Sequence, residues 1–295
     1  MMERPLVVGV DGSDAALGAV DWAADAAVRY GIRLRIVYAS RWERYEVHLL
    51  EGRTEPSSER VREETIVGVA AERASRRVPG LEVTTQLAPD DPVEALLTEG
   101  LRAKAVVVGH RGRGRLTSLL LGSVGLGVAA RAHCPVIVVR GRTENIRGGE
   151  CKVVLGVGER AADTAAVTFA LEEASLRDCT VEAVHAWRCP GTAVPEQCGA
   201  HGEYHGEYRA EHERRTQELL DEVMNKPVAA FPQVTVERRA VEGAPGAALV
   251  AASHTADLVV VGAHRRHGHA GLQLGLVTHT VLHHARCPVA VVPET

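Results

Sequence analysis

No stretch of this 295-residue chain approaches the roughly 20 consecutive apolar residues that a membrane-spanning helix needs. Nor does a basic segment lead into a short apolar run and a small-residue cleavage site. Met1 is followed almost at once by the strand-like run Leu6-Val7-Val8-Gly9-Val10. No secretory leader is expected, and the cytoplasm is the expected location. Lysine is scarce, at Lys104, Lys152 and Lys226, and arginine supplies the other basic side chains. A lone loop arginine therefore carries little information here. An excess of one charge is missing as well: the net charge is −4 and the pI about 6.4. No global field favours nucleic acid or an acidic membrane, and neither is expected as a partner. The six cysteines of so long a chain do not suggest a disulfide framework. Cys134 and Cys287, each before a proline in an apolar context, read as buried thiols. Cys189, Cys198, His201 and His205 match no specific zinc spacing and read as a polar loop.

What the chain does have is a repeat. Ala105-Val106-Val107-Val108-Gly109-His110-Arg111 returns as Leu258-Val259-Val260-Val261-Gly262-Ala263-His264, and Cys134-Pro135-Val136 returns as Cys287-Pro288-Val289. Both offsets are 153 positions. Val8-Gly9-Val10 and Val37-Tyr38-Ala39 return as Leu155-Gly156-Val157 and Val184-His185-Ala186, each offset by 147. The second copy thus gains a net six residues between its second and fourth strands. Two domains are expected, 1–144 and 151–295, with Arg142 to Glu150 as a polar linker. Hydrophobic residues at 45% and charged residues at 24% suit soluble globular domains of this size.

Within the first copy, short apolar runs alternate with helical patterns. Strands are expected at Leu6–Val10, Leu34–Tyr38, Leu81–Leu87, Ala105–Val108 and Val136–Val139. Helices are expected at Asp14–Tyr30, Ser57–Arg77, Pro92–Arg102 and Leu116–Arg131. Ser13 and Asp91 stand where N-caps belong, the latter followed by Pro92 at the first helical position. Alternating βα units with nearly all-apolar strands predict an α/β fold, a parallel sheet covered by helices on both faces. Such sheets bind ligands beyond the strand carboxyl ends, where the strand order reverses.

The residues that follow those strand ends are distinctive. Asp11-Gly12-Ser13 follows the first strand. Gly109, Gly112 and Gly114, interleaved with His110, Arg111 and Arg113, follow the fourth, and Gly122-Ser123 comes ten residues beyond Gly112. Glycines can adopt positive φ and admit close backbone approach, so their N–H groups can converge on one anion. Serine and helix-terminal amides add phosphate donors. Gly109, Gly112, Gly122 and Ser123 therefore read as a two-part phosphate cradle, and Asp11 as an acceptor for ribose or a holder of a phosphate-bound metal. The bland alternative is that the glycines serve tight turns alone. No Gly-Lys-Ser/Thr marks a Walker loop, and no G-x-G-x-x-G follows the first strand.

The spacing Gly109-x2-Gly112-x9-Gly122-Ser123 resembles the G-x2-G-x9-G-S/T pattern of ATP-binding universal stress proteins. Val8 to Ser13 and the closing Cys-Pro-Val-x-Val-Val are similar to members of that family, and two such modules cover nearly the whole chain. The resemblance implies a Rossmann-like five-stranded parallel sheet in each domain, strand-mediated pairing of domains, and a regulatory role in stress or dormancy. It implies ATP with Mg2+ as ligand. Gly9, Val10 and Asp11 would border adenine and ribose, and the Ala39 backbone would meet the adenine edge. Gly109, Arg111 and Gly112 would line ribose and phosphates, with Arg113 and Gly114 continuing the loop. Gly122, Ser123 and Val124 would close on the phosphate tail. Pairing of the two domains within one chain is expected, with room left for a homodimer.

The second copy departs from this pattern. Gly262 and Gly275 are kept, but Arg265 replaces the middle glycine, Leu276 the serine, and Gly158 the acid. ATP binding is therefore expected in the first domain and weak or absent in the second. His279 and His283, four apart, would share a helix face, which suits a metal or pH-sensing site as well as drift in a decayed one. No dedicated base for activating water and no Ser/His/Asp or Cys/His constellation is legible. An ATP-binding regulator, with slow hydrolysis at most, is the expected function. The alternatives are an ATP pyrophosphatase or nucleotidyl-transfer enzyme of related fold, and a nucleotide-free interaction module.

Overall fold

The computed structural model describes residues 4–40, 58–112, 121–158, 164–188, 202–264 and 274–294. The first half runs β1 (Leu6–Val10), α1 (Asp14–Tyr30), β2 (Leu34–Ala39), α2 (Ser58–Arg77), β3 (Val83–Ala88), α3 (Pro92–Gly100), β4 (Ala105–Gly109), α4 (Ser123–Arg131) and β5 (Val136–Val139). A short α5 (Thr143–Arg147) leads to the second half. There follow β6 (Lys152–Gly156), α6 (Thr164–Arg177), β7 (Thr180–Trp187), α7 (Gly202–Val228), β8 (Val236–Glu242), α8 (Pro245–Ala252), β9 (Leu258–His264), α9 (Leu276–His284) and β10 (Val289–Glu294).

The strands form one ten-stranded sheet in the order β3-β2-β1-β4-β5-β10-β9-β6-β7-β8. Every neighbouring pair within a half is parallel. β5 and β10 are antiparallel, with Val138 opposite Val289 and Val136 opposite Val291. The all-apolar strands are buried on both faces, as a covered parallel sheet requires. Alternate residues of β1 serve different cores. Leu6 and Val8 pack beneath α1, α2, α6 and α7, whereas Val7 packs on the other face with Leu96 of α3, Val128 of α4, Leu249 of α8 and Leu282 of α9. Each core thus runs continuously beneath helices of both halves.

Local chemistry sets the element ends. The Ser13 side chain accepts from the Ala16 amide at 3.2 Å, and Asp91 accepts from Val93 at 2.9 Å, as their positions predict. α1 is rich in alanine, the strongest helix former, and stops at Gly31, whose φ of 66° favours glycine. Other boundaries move. β3 starts at Val83 instead of Leu81, because Gly80 (φ 88°) turns the chain just before. α3 ends at Gly100 instead of Arg102, where Leu101 and Arg102 amides close a tighter turn on Thr98 and Glu99. α4 begins at Ser123, well after Leu116, because Gly122 is extended and acts as N-cap; residues 116–120 lie outside the described residues.

The expected linker is docked on the second half. Gly148, with φ 81°, ends α5. Buried Asn145 donates through Nδ2 to the carbonyls of Ala256 (2.9 Å) and His254 (3.3 Å). The Arg142 amide donates to the Arg286 carbonyl at 2.9 Å. A buried polar cluster also joins α1 to α6. The Tyr30 hydroxyl donates to Glu173, which pairs with Arg177 at 2.7 Å, and the Arg177 guanidinium lies over the Trp22 ring.

Candidate functional site

β1 and β4 are neighbours although β2 follows β1 in sequence, so the strand order reverses between them. At their carboxyl ends lies a cavity of about 570 Å³. Three separate loops build its walls: Gly9, Val10 and Asp11 after β1; Gly109, Arg111 and Gly112 after β4; and Gly122, Ser123 and Val124 at the start of α4. Ala39, at the end of β2, completes the set. Every described residue that the sequence pointed to thus lines one cavity. Arg113 and Gly114 lie outside the described residues.

Hydrogen bonds tie the three loops together. Asp11 Oδ1 accepts from the Ser13 amide (3.0 Å) and from the Ser13 hydroxyl (2.6 Å). The same hydroxyl sits 3.4 Å from the Arg111 carbonyl. The Gly122 amide donates to the His110 carbonyl at 2.9 Å. His110 is itself held, its Nδ1 lying 3.2 Å from the Val139 carbonyl, and burial lowers its pKa so that the ring favours the neutral form.

The glycines serve different purposes. A Cβ on Gly9 would stand 2.9 Å from Leu96 Cδ1, and one on Gly109 would stand 2.7 Å from the Ala15 backbone. At Gly109 the obstacle is the backbone of α1, so packing requires glycine, whereas at Gly9 it is the tip of the Leu96 side chain. Gly112 is pressed against Asp11, where a Cβ would meet Oδ2 at 2.5 Å. Gly122 is different: its Cβ would meet nothing closer than 3.7 Å, and its φ of −65° suits any residue. None of Gly109, Gly112 and Gly122 has a positive φ, so in this loop system glycine supplies space instead of an unusual backbone angle. No side chain caps α4, and Gly122 and Ser123 present its first turn along the cavity. That turn offers amide donors to an anion.

Sequence reasoning missed Ala16, Val37, Pro92, Leu96, Val108, Leu121 and Gly125, which line the remaining wall. The signal for Pro92 and Leu96 was present: they open the helix after β3, beside the switch point, and Leu96 fills the space that Gly9 leaves. Arg111 is the basic side chain of the described lining, and Arg140 lies outside it. Arg140, beyond β5, has its pKa lowered to about 10, by burial first and then by Arg286 and Arg111. It donates to the Leu282 carbonyl of α9.

Among the described residues, the second half repeats the frame without counterparts of Asp11 and Ser123. A Cβ on Gly156 would meet Leu249 Cδ1 at 2.9 Å, mirroring Gly9 and Leu96. Gly158 is exposed where Asp11 stands in the first half, and Leu276 is 83% exposed at the first position of α9. Glu294 Oε1 accepts from the Ala166 amide of α6 at 3.3 Å and lies 3.0 Å from a Cβ on Gly262, so a carboxylate occupies this corner. His279 and His283 share a helix face, their rings 4.3 Å apart. Among the described residues no group of three or more His, Cys, Asp or Glu is placed to hold a metal ion. Cys189, Cys198, His201 and Arg265 lie outside the described residues, and His205 falls within α7 instead of a loop. Cys134 and Cys287 are buried as expected, and burial raises both thiol pKa values, Cys134 to about 11. No helix among the described residues is long and apolar enough to cross a membrane.

Comparison with known proteins agrees with this frame. The profile of the universal stress protein family matches residues 2–140 and again residues 151–293. The chain is similar to the universal stress protein Rv2623 of Mycobacterium tuberculosis, 32% identical over 98% of this chain and 96% of that one. A universal stress protein of Mycolicibacterium smegmatis is 31% identical over 98% and 97% of the two chains. Among solved structures, a universal stress protein from Archaeoglobus fulgidus superposes over the full length of both chains with a TM-score of 0.70 at 15% identity. The chain belongs to the universal stress protein family and carries the family's domain twice in tandem.

Proposed function

We propose that this chain is an ATP-binding regulatory protein that acts through nucleotide occupancy of its first domain and association of its two domains, without rapid catalysis. The observation that carries this reading is the convergence on one cavity at the switch point of the β1 loop with Asp11 and of two loops spaced as G-x2-G-x9-G-S. Its volume of about 570 Å³ falls in the range of small-molecule sites. The chemistry is divided in the way a nucleotide demands. Val37, Ala39 and Leu96 give an apolar end for the base. Gly112, Gly122 and Ser123 give a donor-rich end in which an added Cβ on Gly112 would already collide. Asp11 stands between them, suited to a ribose hydroxyl or to Mg2+ held by phosphate.

The second domain would bind ATP weakly or not at all. Leu276 offers no hydroxyl, Gly158 no carboxylate, and Glu294 already places an anion at the start of α6. Pairing of the halves within one chain, through the antiparallel β5–β10 joint, would take the place of a homodimer contact. Titration of ATP into the purified chain by calorimetry, with and without Mg2+, tests the reading. Binding at one site per chain is expected, and absence of binding in both conditions would overturn it.

A further inference from the structure

The second half opens with two thiols that the nucleotide site does not use. Cys151 immediately precedes β6, and Cys179 immediately precedes β7. These strands are parallel neighbours with Lys152 opposite Thr180, so the cysteines stand side by side one step ahead of that pair. The Thr180 amide donates to the Cys151 carbonyl at 3.1 Å. Neighbouring strands lie about 4.8 Å apart, within the roughly 4.4–6.8 Å Cα separation that a disulfide spans.

Both residues are held in place. The Glu150 amide donates to Asp257 Oδ1 at 2.9 Å, and the Asp257 amide donates to the Lys152 carbonyl at 2.8 Å. Buried Asp257 therefore clamps the residues on either side of Cys151. Cys151 itself takes a left-handed φ of 51° as the chain turns from the linker into β6. The Cys179 amide donates to the Ala174 carbonyl at 2.9 Å, and its thiol to the Arg177 carbonyl at 3.5 Å. Exposure differs between them: Cys151 is exposed, Cys179 half-buried, while Cys134 and Cys287 are buried.

We propose that Cys151 and Cys179 are a peroxide-responsive dithiol that closes to a disulfide at the entrance to the second domain. The exposed Cys151 thiolate attacks one oxygen of hydrogen peroxide. Its S–O bond forms as the O–O bond breaks, and the departing hydroxide takes a proton to become water. The Cys179 sulfur then attacks the Cys151 sulfenic sulfur, and the hydroxyl leaves with the Cys179 proton as a second water. Two thiols lose two electrons in forming one disulfide, and one peroxide is reduced to two waters. The second step draws on the Cys179 thiolate. Burial first, then the Cys151 and Asp257 charges, push the Cys179 thiol up to about 11, against a smaller opposing effect of Arg177. Closure should therefore accelerate about tenfold per pH unit between neutral pH and pH 9, following the Cys179 thiolate fraction.

The full chain supplies the test. Trypsin isolates each cysteine in its own peptide, Gly148–Lys152 and Asp178–Arg188. The reduced protein is treated with hydrogen peroxide, its remaining thiols are alkylated, and the digest is mapped by mass. The expected result is these two peptides joined, separated again by dithiothreitol. Cys179→Ser should stall with a Cys151 sulfenic acid that dimedone traps, and Cys151→Ser should leave Cys179 a free thiol. Alkylation of both cysteines after peroxide, or linkage of Cys151 to any other cysteine, would overturn the proposal.

Discussion

Asp11 and Gly112 are matched surfaces: a Cβ built on Gly112 would stand 2.5 Å from Oδ2 of Asp11. The contact joins the loop after β1 to the loop after β4, so a side chain at position 112 must displace the Asp11 carboxylate. In the second half both members differ together, with Gly158 for Asp11 and Arg265 for Gly112. Loss of the carboxylate removes the obstacle that any side chain at the second position would meet.

Gly112→Ala should consequently lower ATP affinity about tenfold or more, equivalent to about 1.4 kcal/mol. The same substitution in an Asp11→Gly background should cost less, because the displaced carboxylate is gone. A double-mutant cycle by calorimetry reads the difference. Strict additivity would separate the two residues energetically.

Gly122 has room that the protein itself does not use, since its nearest neighbours to an added Cβ are at 3.7 Å. Gly122→Val should therefore leave the circular dichroism and melting profile close to wild type while abolishing ATP binding. Ser123→Ala should be milder, at about 1–2 kcal/mol for one hydrogen bond to a charged oxygen. Unchanged affinity in a folded Gly122→Val protein would remove the phosphate cradle from this loop.

Turnover should stay far below the roughly 1 per second of an ordinary enzyme, since the described cavity wall offers Asp11 as its carboxylate and no base aligned behind a nucleophile. Phosphate release under saturating Mg-ATP measures this. Sustained hydrolysis at enzymatic rates that Asp11→Ala abolishes would instead establish a catalytic metal site.

Stability should fall on the alkaline side. Burial raises the Cys134 thiol from 9.0 to about 11 and raises Cys287 as well. Above pH 9 the unfolded chain has released these protons while the folded chain retains them, so unfolding gains free energy as pH rises from about 9 to 11. Urea midpoints should decline across that window, and Cys287→Ala should flatten the slope even if it lowers the midpoint at pH 7. His110 acts oppositely: its lowered pKa contributes stability above about pH 6.5 that is lost on acidification.

Much of this was legible in the sequence because the informative residues sit at strand ends. β1, α1 and β5 run between the expected residues, and Ser13 and Asp91 cap the helices they precede. The spaced glycines and Asp11 reach one cavity because a parallel βα fold brings every strand's carboxyl end to the same edge. What was hidden is what depends on packing between segments. The division of labour among Gly9, Gly109, Gly112 and Gly122 follows from Leu96, Ala15 and Asp11, which periodicity cannot assign to them. The start of α4 at Ser123 depends on an extended Gly122, although Leu116 to Leu121 reads as apolar and helical. The linker's polar composition concealed the pairing of Asn145 with carbonyls distant in sequence.

Asymmetry between the domains decides the matter, and the stoichiometry of ATP on the intact chain reads it. On the proposed site, Leu276 for Ser123 and Gly158 for Asp11 would each remove an interaction of about 1–2 kcal/mol, together lowering affinity by about one to three decades. Calorimetry with Mg-ATP should give one site per chain, and Asp11→Ala combined with Gly112→Val should eliminate it. Two equally tight sites per chain, or one site that survives the double substitution, would contradict an ATP site confined to the first domain.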